Sequence, residues 1–291
     1  MNAVTIGIVG LGLIGGSLGR AWKKESPHTV YGCDTDQGAQ KKALLLGACD
    51  GILDEKTLPE VDILIFAVNP RTVAALLPDY LPRLKRGALV SDIAGNKRSV
   101  CAAFRAAQGD FPHLHFIAAH PMAGREFWGV SHSTPALFKR ASALIIPLDG
   151  TPISVVSAYK TRLLEAGFER VKFTAADEHD RMIAYTSQLP HVLSGCYVQS
   201  PLAAAHDGFS AGSFLDLTRV ARANAPMWAE LFLDNRDNLL AMIDAFSETL
   251  AAYRAAIEAA DEPALKRLIE NGNAAKEEID KNTRALRCRY R

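Results

Sequence analysis

The chain lacks paired cysteines, a long apolar run and an excess of either charge. Its five cysteines, Cys33, Cys49, Cys101, Cys196 and Cys288, are scattered, odd in number and without a C-x-x-C spacing. That excludes a disulfide framework and points to a reducing compartment, the cytoplasm. No apolar stretch approaches the ~20 residues that a membrane-crossing helix needs, so no membrane partner is expected. The 33 Lys and Arg against 32 Asp and Glu leave a formal charge of +1, too little for the electrostatic footprint of a nucleic-acid binder. There is no internal repeat and no low-complexity segment. The opening residues M-N-A-V-T-I-G-I-V-G run straight into a strand pattern, which leaves no room for a leader peptide. What is present is 48% hydrophobic and 22% charged residues over 291 positions. That is enough for a sizeable core and for about two domains of roughly 100 to 200 residues each.

The stretch Thr5 to Gly16, T-I-G-I-V-G-L-G-L-I-G-G, reads as a buried strand running into a glycine-rich turn. Gly10 supplies the tight-turn dihedrals, Gly12 lets backbone approach a pyrophosphate, and Gly15 lets the next helix pack on the strand. That helix, starting at Leu13 and Ile14, aims its N–H groups and positive dipole end at the phosphates. A second strand, Val30 to Cys33, delivers Asp34, whose carboxylate suits ribose hydroxyls and repels a 2′-phosphate. The expected cofactor is NAD.

Strand and helix patterns alternate to about residue 175: strands at Asp62 to Val68, Ala88 to Asp92, His115 to Ala119, Ala143 to Pro147 and Arg170 to Phe173, separated by helices. This predicts an α/β, doubly wound Rossmann-type sheet over residues 1–175, with Val68 and Gly95, near the ends of two strands, beside the cofactor. From Ala176 the strand signal disappears, and residues 176–291 are expected to form an all-helical substrate-binding and dimerisation domain. A long helix from Pro226 to Ala259 carries apolar surface that a small bundle cannot cover, which predicts a two-fold homodimer.

Three clusters carry candidate chemistry. In A-A-H-P-M-A-G-R-E-F-W-G, His120 and Glu126 follow a strand at its carboxyl end, where open sheets place ligands; a His before Pro is otherwise a loop residue bonding to backbone. In E-H-D-R-M-I-A-Y-T-S-Q-L-P-H-V-L-S, Asp180, Ser187, His191 and Ser194 fall on one stripe of a 3.6-residue period. Pro190 should leave the Thr186 carbonyl unpaired and kink that helix. In F-L-D-L-T-R-V-A-R-A-N-A-P-M-W, Arg219 sits among apolar residues and needs an anionic partner, either Asp216, Asp237 or a substrate carboxylate. His113 and His115 do not complete a ligand set, so no metal is expected.

Together these clusters resemble the prephenate dehydrogenase family, over nearly the whole chain. The resemblance rests on H-P-M-A-G-x-E at His120 to Glu126, H-D at His179 and Asp180, S-x-x-P-H at Ser187 to His191, and D-x-T-R-x-A followed by Trp228. It implies oxidative decarboxylation of a cyclohexadienol, the small-molecule substrate being prephenate or arogenate. His120 then matches the catalytic histidine and Arg219 the arginine that holds the ring carboxylate. Ser187 and His191 match groups near the side-chain carboxylate, Trp228 and Glu126 help shape the pocket, and Asp180 orients a neighbour. The family's D-x-G-S-V-K is D-I-A-G-N-K here, from Asp92 to Lys97, so Gly95 stands where a serine supports the histidine. That leaves Asn96 or a water to orient His120. With the sequence starting at the nucleotide-binding pattern and ending after the helices, no fused mutase or ACT-type segment is expected, and any tyrosine inhibition would act at the substrate pocket.

Two other readings differ in class. The G-N-A-A-K at Gly272 to Lys276 is similar to the catalytic lysine segment of β-hydroxyacid dehydrogenases, but near the C-terminus instead of directly after the nucleotide domain. A non-catalytic NAD-binding redox sensor is the other; no basic recognition helix stands out for a DNA-binding version.

Overall fold

A computed structural model describes the backbone of residues 3–289 and the side chains of residues 3–283, so Met1, Asn2 and the Cys288 side chain lie outside it. Strands and helices alternate as β1 (Thr5–Val9), α1 (Leu13–Glu25), β2 (Thr29–Cys33), α2 (Gln37–Leu45), β3 (Gly51–Ile52), β4 (Ile63–Phe66), α3 (Pro70–Tyr80), β5 (Leu89–Asp92), α4 (Arg98–Asp110), β6 (His115–Pro121), β7 (Ser142–Pro147), α5 (Ile153–Glu165) and β8 (Arg170–Phe173). The sheet order is β3-β2-β1-β4-β5-β6-β7-β8. Neighbours are parallel except β6 and β7. The doubly wound expectation is therefore met, with the topological switch between β1 and β4.

Period-two alternation explains why the sheet is covered on both faces. Ile6, Ile8, Ile63 and Ile65 enter one core with Leu18 and Trp22 of α1. Their neighbours Val9, Leu64 and Phe66 enter the other core, with Val73 of α3 and Phe104 of α4. Strands buried on both faces read as continuous aliphatic runs, which is how β1 and β4 appear in sequence. β6 extends past its expected end at Ala119, and His120 is held in the ladder opposite Leu144. The histidine is thus a strand residue, not a loop residue.

After β8 the structure is helical: α6 (Ala176–Ile183), α7 (Leu189–Tyr197), α8 (Gly212–Thr218), α9 (Ala225–Asp234), α10 (Arg236–Glu258) and α11 (Glu262–Arg289). Residues 184–188 form a π-helical turn between α6 and α7, in which Leu189 N–H donates to the Ala184 carbonyl. This wide turn absorbs Pro190 by an inserted residue, and so the expected 3.6-residue stripe is broken. Asp180 and Ser194 are buried while Ser187 and His191 face the cavity described below. The expected single helix from Pro226 to Ala259 is also corrected, since it breaks at Asn235 (φ −114°, ψ 28°). Asn235 is fully buried, and its amide donates to the Asp180 carbonyl at 2.8 Å and to Gln188 Oε1 at 2.9 Å. Those two bonds hold the residue out of helical geometry.

The chain divides into two compact units, Met1–Leu239 and Leu240–Arg291. The second holds the rest of α10 and α11, with exposed apolar residues Leu250, Ile257, Ile269 and Ile279. Among the described residues no helix is long and apolar enough to cross a membrane.

In the first unit, Lys97 and Asp92 form an ion pair whose side chains are both wholly buried. The Lys97 ammonium also donates to the Ala119 carbonyl at 2.6 Å, and Asp92 accepts from Ala94 N–H at 2.8 Å and Ala119 N–H at 3.2 Å. The pair ties the loop after β5 to β6 just before His120. Burial pushes the Asp92 carboxyl above its usual range, against the pull of Lys97. Replacing Lys97 by Met strands that carboxylate and should lower unfolding stability by ~3–5 kcal/mol. An unpaired buried carboxyl has a raised folded pKa, so its contribution is retained at low pH and lost as pH rises through that value. Urea midpoints should therefore show a smaller deficit at pH 5 than at pH 8; a deficit independent of pH would contradict this.

Candidate active site

The glycine loop sits at the β1/β4 switch point. Gly10 has φ +97°, and a Cβ there would lie 2.6 Å from the Ala67 carbonyl oxygen. A Cβ on Gly15 would run into the Gly10 carbonyl, whereas one on Gly12 would meet nothing within 4 Å. Gly10 and Gly15 are thus required by packing, and Gly12 is the residue left open toward a ligand. Asp34, at the end of β2, accepts from Leu11 N–H at 2.7 Å and, on its other oxygen, from Asp36 N–H at 2.9 Å. Each carboxylate oxygen keeps a further lone pair, so the arrangement fits a dinucleotide.

A cavity of about 570 Å³ collects the remaining expected residues. Gly12, Leu13, Ile14, Gly15, Val68 and Gly95 are among its lining residues, next to the glycine loop and the ends of β4 and β5. His120, Glu126, Ser187, His191, Arg219 and Trp228 line it as well. Gly10 and Asp34 are not among its lining residues; Gly10 acts through backbone packing and Asp34 braces the loop.

His120 is oriented by a residue that sequence reasoning did not place in the site. Its Nδ1 lies 2.9 Å from His179 Nε2, and His179 Nδ1 lies 2.7 Å from Asp180 Oδ1. Asp180 also accepts from the backbone N–H groups of Lys97 at 2.8 Å and Arg98 at 2.9 Å. Burial alone would raise the Asp180 carboxyl, but the His179, Arg98 and Lys97 hydrogen bonds outweigh it and hold it below its usual range. An ionised Asp180 requires His179 to carry its proton on Nδ1. His179 Nε2 is then an acceptor, so His120 carries its proton on Nδ1 and presents a bare Nε2 to the cavity. Burial, then His179 and Lys97, push the His120 imidazole well below its usual 6.5.

This corrects the expectation that Asn96 or a water supports His120. Asn96 is fully buried and donates instead to the Leu231 carbonyl at 2.8 Å and Asp234 at 3.0 Å. Gly95 lies under Leu231, whose Cδ atoms would sit 3.0 and 3.1 Å from an added Cβ. The adjacency H-D at 179 and 180 was the signal available in sequence, because a histidine beside a buried carboxylate is fixed in one tautomer.

Arg219 is not buried. Its side chain is 63% exposed and its guanidinium lies 2.7 Å from Glu126 Oε1. Neither expected structural partner is used: Asp237 is taken by Arg98, at 2.8 Å in one of two contacts, and no hydrogen bond or ion pair joins Asp216 to Arg219 among the described residues. The His191 ring lies against Trp228, tilted by 37° at 3.8 Å between centroids, and its Nδ1 is buried with no hydrogen-bond partner among the described residues. Burial lowers the His191 pKa, opposed by a hydrogen bond to the Val220 backbone and helped by the Arg219 charge. Arg222 lies 5.8 Å over the Trp128 ring at the cavity wall. Lys276, of the G-N-A-A-K segment, pairs with Asp280 on its own helix. Among the described residues no group of three or more His, Cys, Asp or Glu is placed to hold a metal ion.

Comparison with known proteins agrees with this geometry. The family model for the prephenate dehydrogenase nucleotide-binding domain matches residues 18–171, and that for the prephenate dehydrogenase dimerization domain matches residues 175–271. A cyclohexadienyl dehydrogenase of Zymomonas mobilis is 30% identical over 267 residues, covering 88% of this chain and 89% of that protein. A prephenate dehydrogenase of Bacillus subtilis is 28% identical over 269 residues, covering 88% and 71%. The crystal structure of the Aquifex aeolicus prephenate dehydrogenase, with hydroxyphenyl propionate and NAD+, shares the fold at a TM-score of 0.83 and 23% identity, over 96% of this chain and 99% of that one. The expected NAD agrees with the nucleotide-binding domain that the family model assigns. The chain belongs to the prephenate dehydrogenase family.

Proposed function

We propose that this protein catalyses the NAD-dependent oxidative decarboxylation of prephenate to 4-hydroxyphenylpyruvate, within tyrosine biosynthesis. The observation that carries this reading is the bare Nε2 of His120 on the same cavity as Arg219 and the glycine loop. In this reading residues 1–175 bind the cofactor and residues 176–291 supply the substrate groups and a homodimer contact.

NAD, when bound, supplies the acceptor for the hydride that leaves the substrate's hydroxyl-bearing ring carbon. Gly12 and Gly15 give its pyrophosphate a close approach to the start of α1, where Leu13 and Ile14 stand. Asp34 meets a ribose, and Val68 and Gly95 line the approach to the ring.

His120 Nε2 takes the hydroxyl proton as negative charge leaves the ring carbon. Because the imidazole pKa is depressed, the base is neutral at pH 7 and needs no prior deprotonation. Arg219 exchanges Glu126 for the ring carboxylate, and departure of that carboxylate as CO2 leaves an aromatic product. Ser187 and His191 line the part of the cavity where the side-chain carboxylate would lie, with Trp228 against the His191 ring.

Arogenate, with an ammonium in place of the keto group, is the second reading. Glu126 favours it specifically, since a carboxylate released from Arg219 would stand free to pair with that ammonium.

Three outcomes test these assignments. NADH formation with prephenate and with L-arogenate, measured side by side, should favour prephenate; Glu126→Gln should then raise KM for arogenate and leave prephenate unchanged or better bound. His120→Asn should lower kcat by roughly 10² to 10⁴ with KM little altered, and wild-type kcat/KM should fall only at pH below the usual imidazole range; a fall centred above 6.5 would contradict the depressed base. Arg219→Gln should raise KM by one to two powers of ten, the worth of about 1.5–3 kcal/mol in charge-assisted hydrogen bonds, and an unchanged KM would remove Arg219 from substrate capture.

A further inference from the structure

His120 is the first member of a hydrogen-bonded row, not an isolated base. From the cavity inward the row is His120, His179 and Asp180, joined at 2.9 and 2.7 Å. His179 is 1% exposed and Asp180 not at all. We infer that the proton taken from the substrate hydroxyl does not leave its charge on His120 but passes it to His179, which holds it against Asp180. This rests on the reaction proposed above.

The step balances without any further reactant. The substrate O–H bond breaks and an N–H bond forms at His120 Nε2. On the far side of the same ring the Nδ1–H bond breaks and an N–H bond forms at His179 Nε2. His120 ends neutral, its proton moved from Nδ1 to Nε2, and His179 ends as an imidazolium donating through Nδ1 to Asp180. Since His179 has almost no exposed surface, the proton returns to water by the reverse path through His120 once product has left.

The charges around the row decide where the proton rests. On His179 an imidazolium touches Asp180 directly; on His120 it is one ring further away. Burial lowers the affinity of both rings for a proton, but His120 falls further, while the Asp180 hydrogen bond pulls His179 back up. Lys97, from the loop between β5 and α4, repels a cation on either ring, and Asp92 behind it partly offsets this on His179. Arg98, at the start of α4, lies 3.4 Å from Asp180 Oδ2 and is itself engaged by Asp237. Asp180 does not accept the proton, because two backbone N–H groups and His179 hold it as the carboxylate.

A merely positioning His179 would also fix the His120 tautomer, so the test must separate orientation from proton acceptance. The ¹⁵N-imidazole NMR spectrum of the ligand-free protein, assigned with His120→Asn and His179→Gln, reports each ring nitrogen during an acid titration. The first proton bound by the pair should make His179 doubly protonated and leave His120 neutral with its proton on Nε2. A doubly protonated His120 beside a neutral His179 would overturn the inference, without reference to any substrate. Single-turnover NADH formation in H2O and D2O mixtures gives the second readout. Wild type should show a bowed, two-proton inventory, and His179→Gln, whose carbonyl still accepts from His120 Nδ1, should show a linear one with kcat lower by roughly 10²-fold at unchanged KM. A linear wild-type inventory, or a Gln variant with wild-type kcat, would also overturn it. Absence of NADH from both prephenate and arogenate would instead sink the functional reading, and the titration would still decide the relay.

Discussion

The site depends on one buried carboxylate. Asp180 comes from the first helix after the sheet and would be expensive to bury without donors. The start of α4 supplies them: Lys97 and Arg98 each direct a backbone N–H at it, with the positive end of the helix dipole behind them. The same bonds fasten α6 to the loop after β5, and they keep Asp180 ionised. An ionised Asp180 then dictates the His179 proton, and His179 dictates the His120 proton. A packing contact between two elements thereby sets the chemical state of a side chain two hydrogen bonds away.

The loop carrying those N–H groups is itself fixed from three directions. Lys97 turns its side chain into the sheet toward Asp92 and Ala119, while its backbone serves Asp180. Asn96 reaches the other way, to the Leu231 carbonyl and Asp234 of α9, and accepts from Gln188 at 3.0 Å. Gly95 between them sits directly beneath Leu231. A serine there would press on Leu231, and the room it would need is filled by packing. The hydrogen bond to the His120 imidazole comes instead from the helix opposite, where His179 is in turn held by Asp180.

The fold was legible because its signals are local. The aliphatic runs of β1 and β4, the glycine turn and the Phe173-to-Ala176 change from strand to helix pattern each show in a window of a dozen residues. What was misread depends on partners distant in the chain. Asn235 ends a helix that periodicity would carry through, because it serves Asp180 and Gln188, 55 and 47 residues away. The two-residue β3 is too short to leave a pattern. Among site residues, the cavity lining followed from motifs, but the link from His120 to His179 spans 59 residues. The end of β6, paired to β7, and α6 bring the two rings together, and neither contact has a signature in either segment alone.

Arg219 shows the same limit from the opposite side. Its apolar neighbours in sequence suggested a buried guanidinium in need of a structural counter-ion. Those neighbours, Leu215 and Leu217 among them, are themselves exposed, and the guanidinium stands more than half in solvent with Glu126 as its partner. An exposed ion pair of this kind is worth little, of order 0–1 kcal/mol. That weakness suits the capture role proposed for Arg219. A deeply buried pair would have to be broken at large cost before any substrate carboxylate could bind, whereas this one exchanges one carboxylate for another at nearly constant charge. Glu126 holds Arg219 at the cavity lining, and it stands on the segment that leads away from His120. In the proposed reaction, an anion arriving at Arg219 would free Glu126, which stands five residues beyond the end of β6.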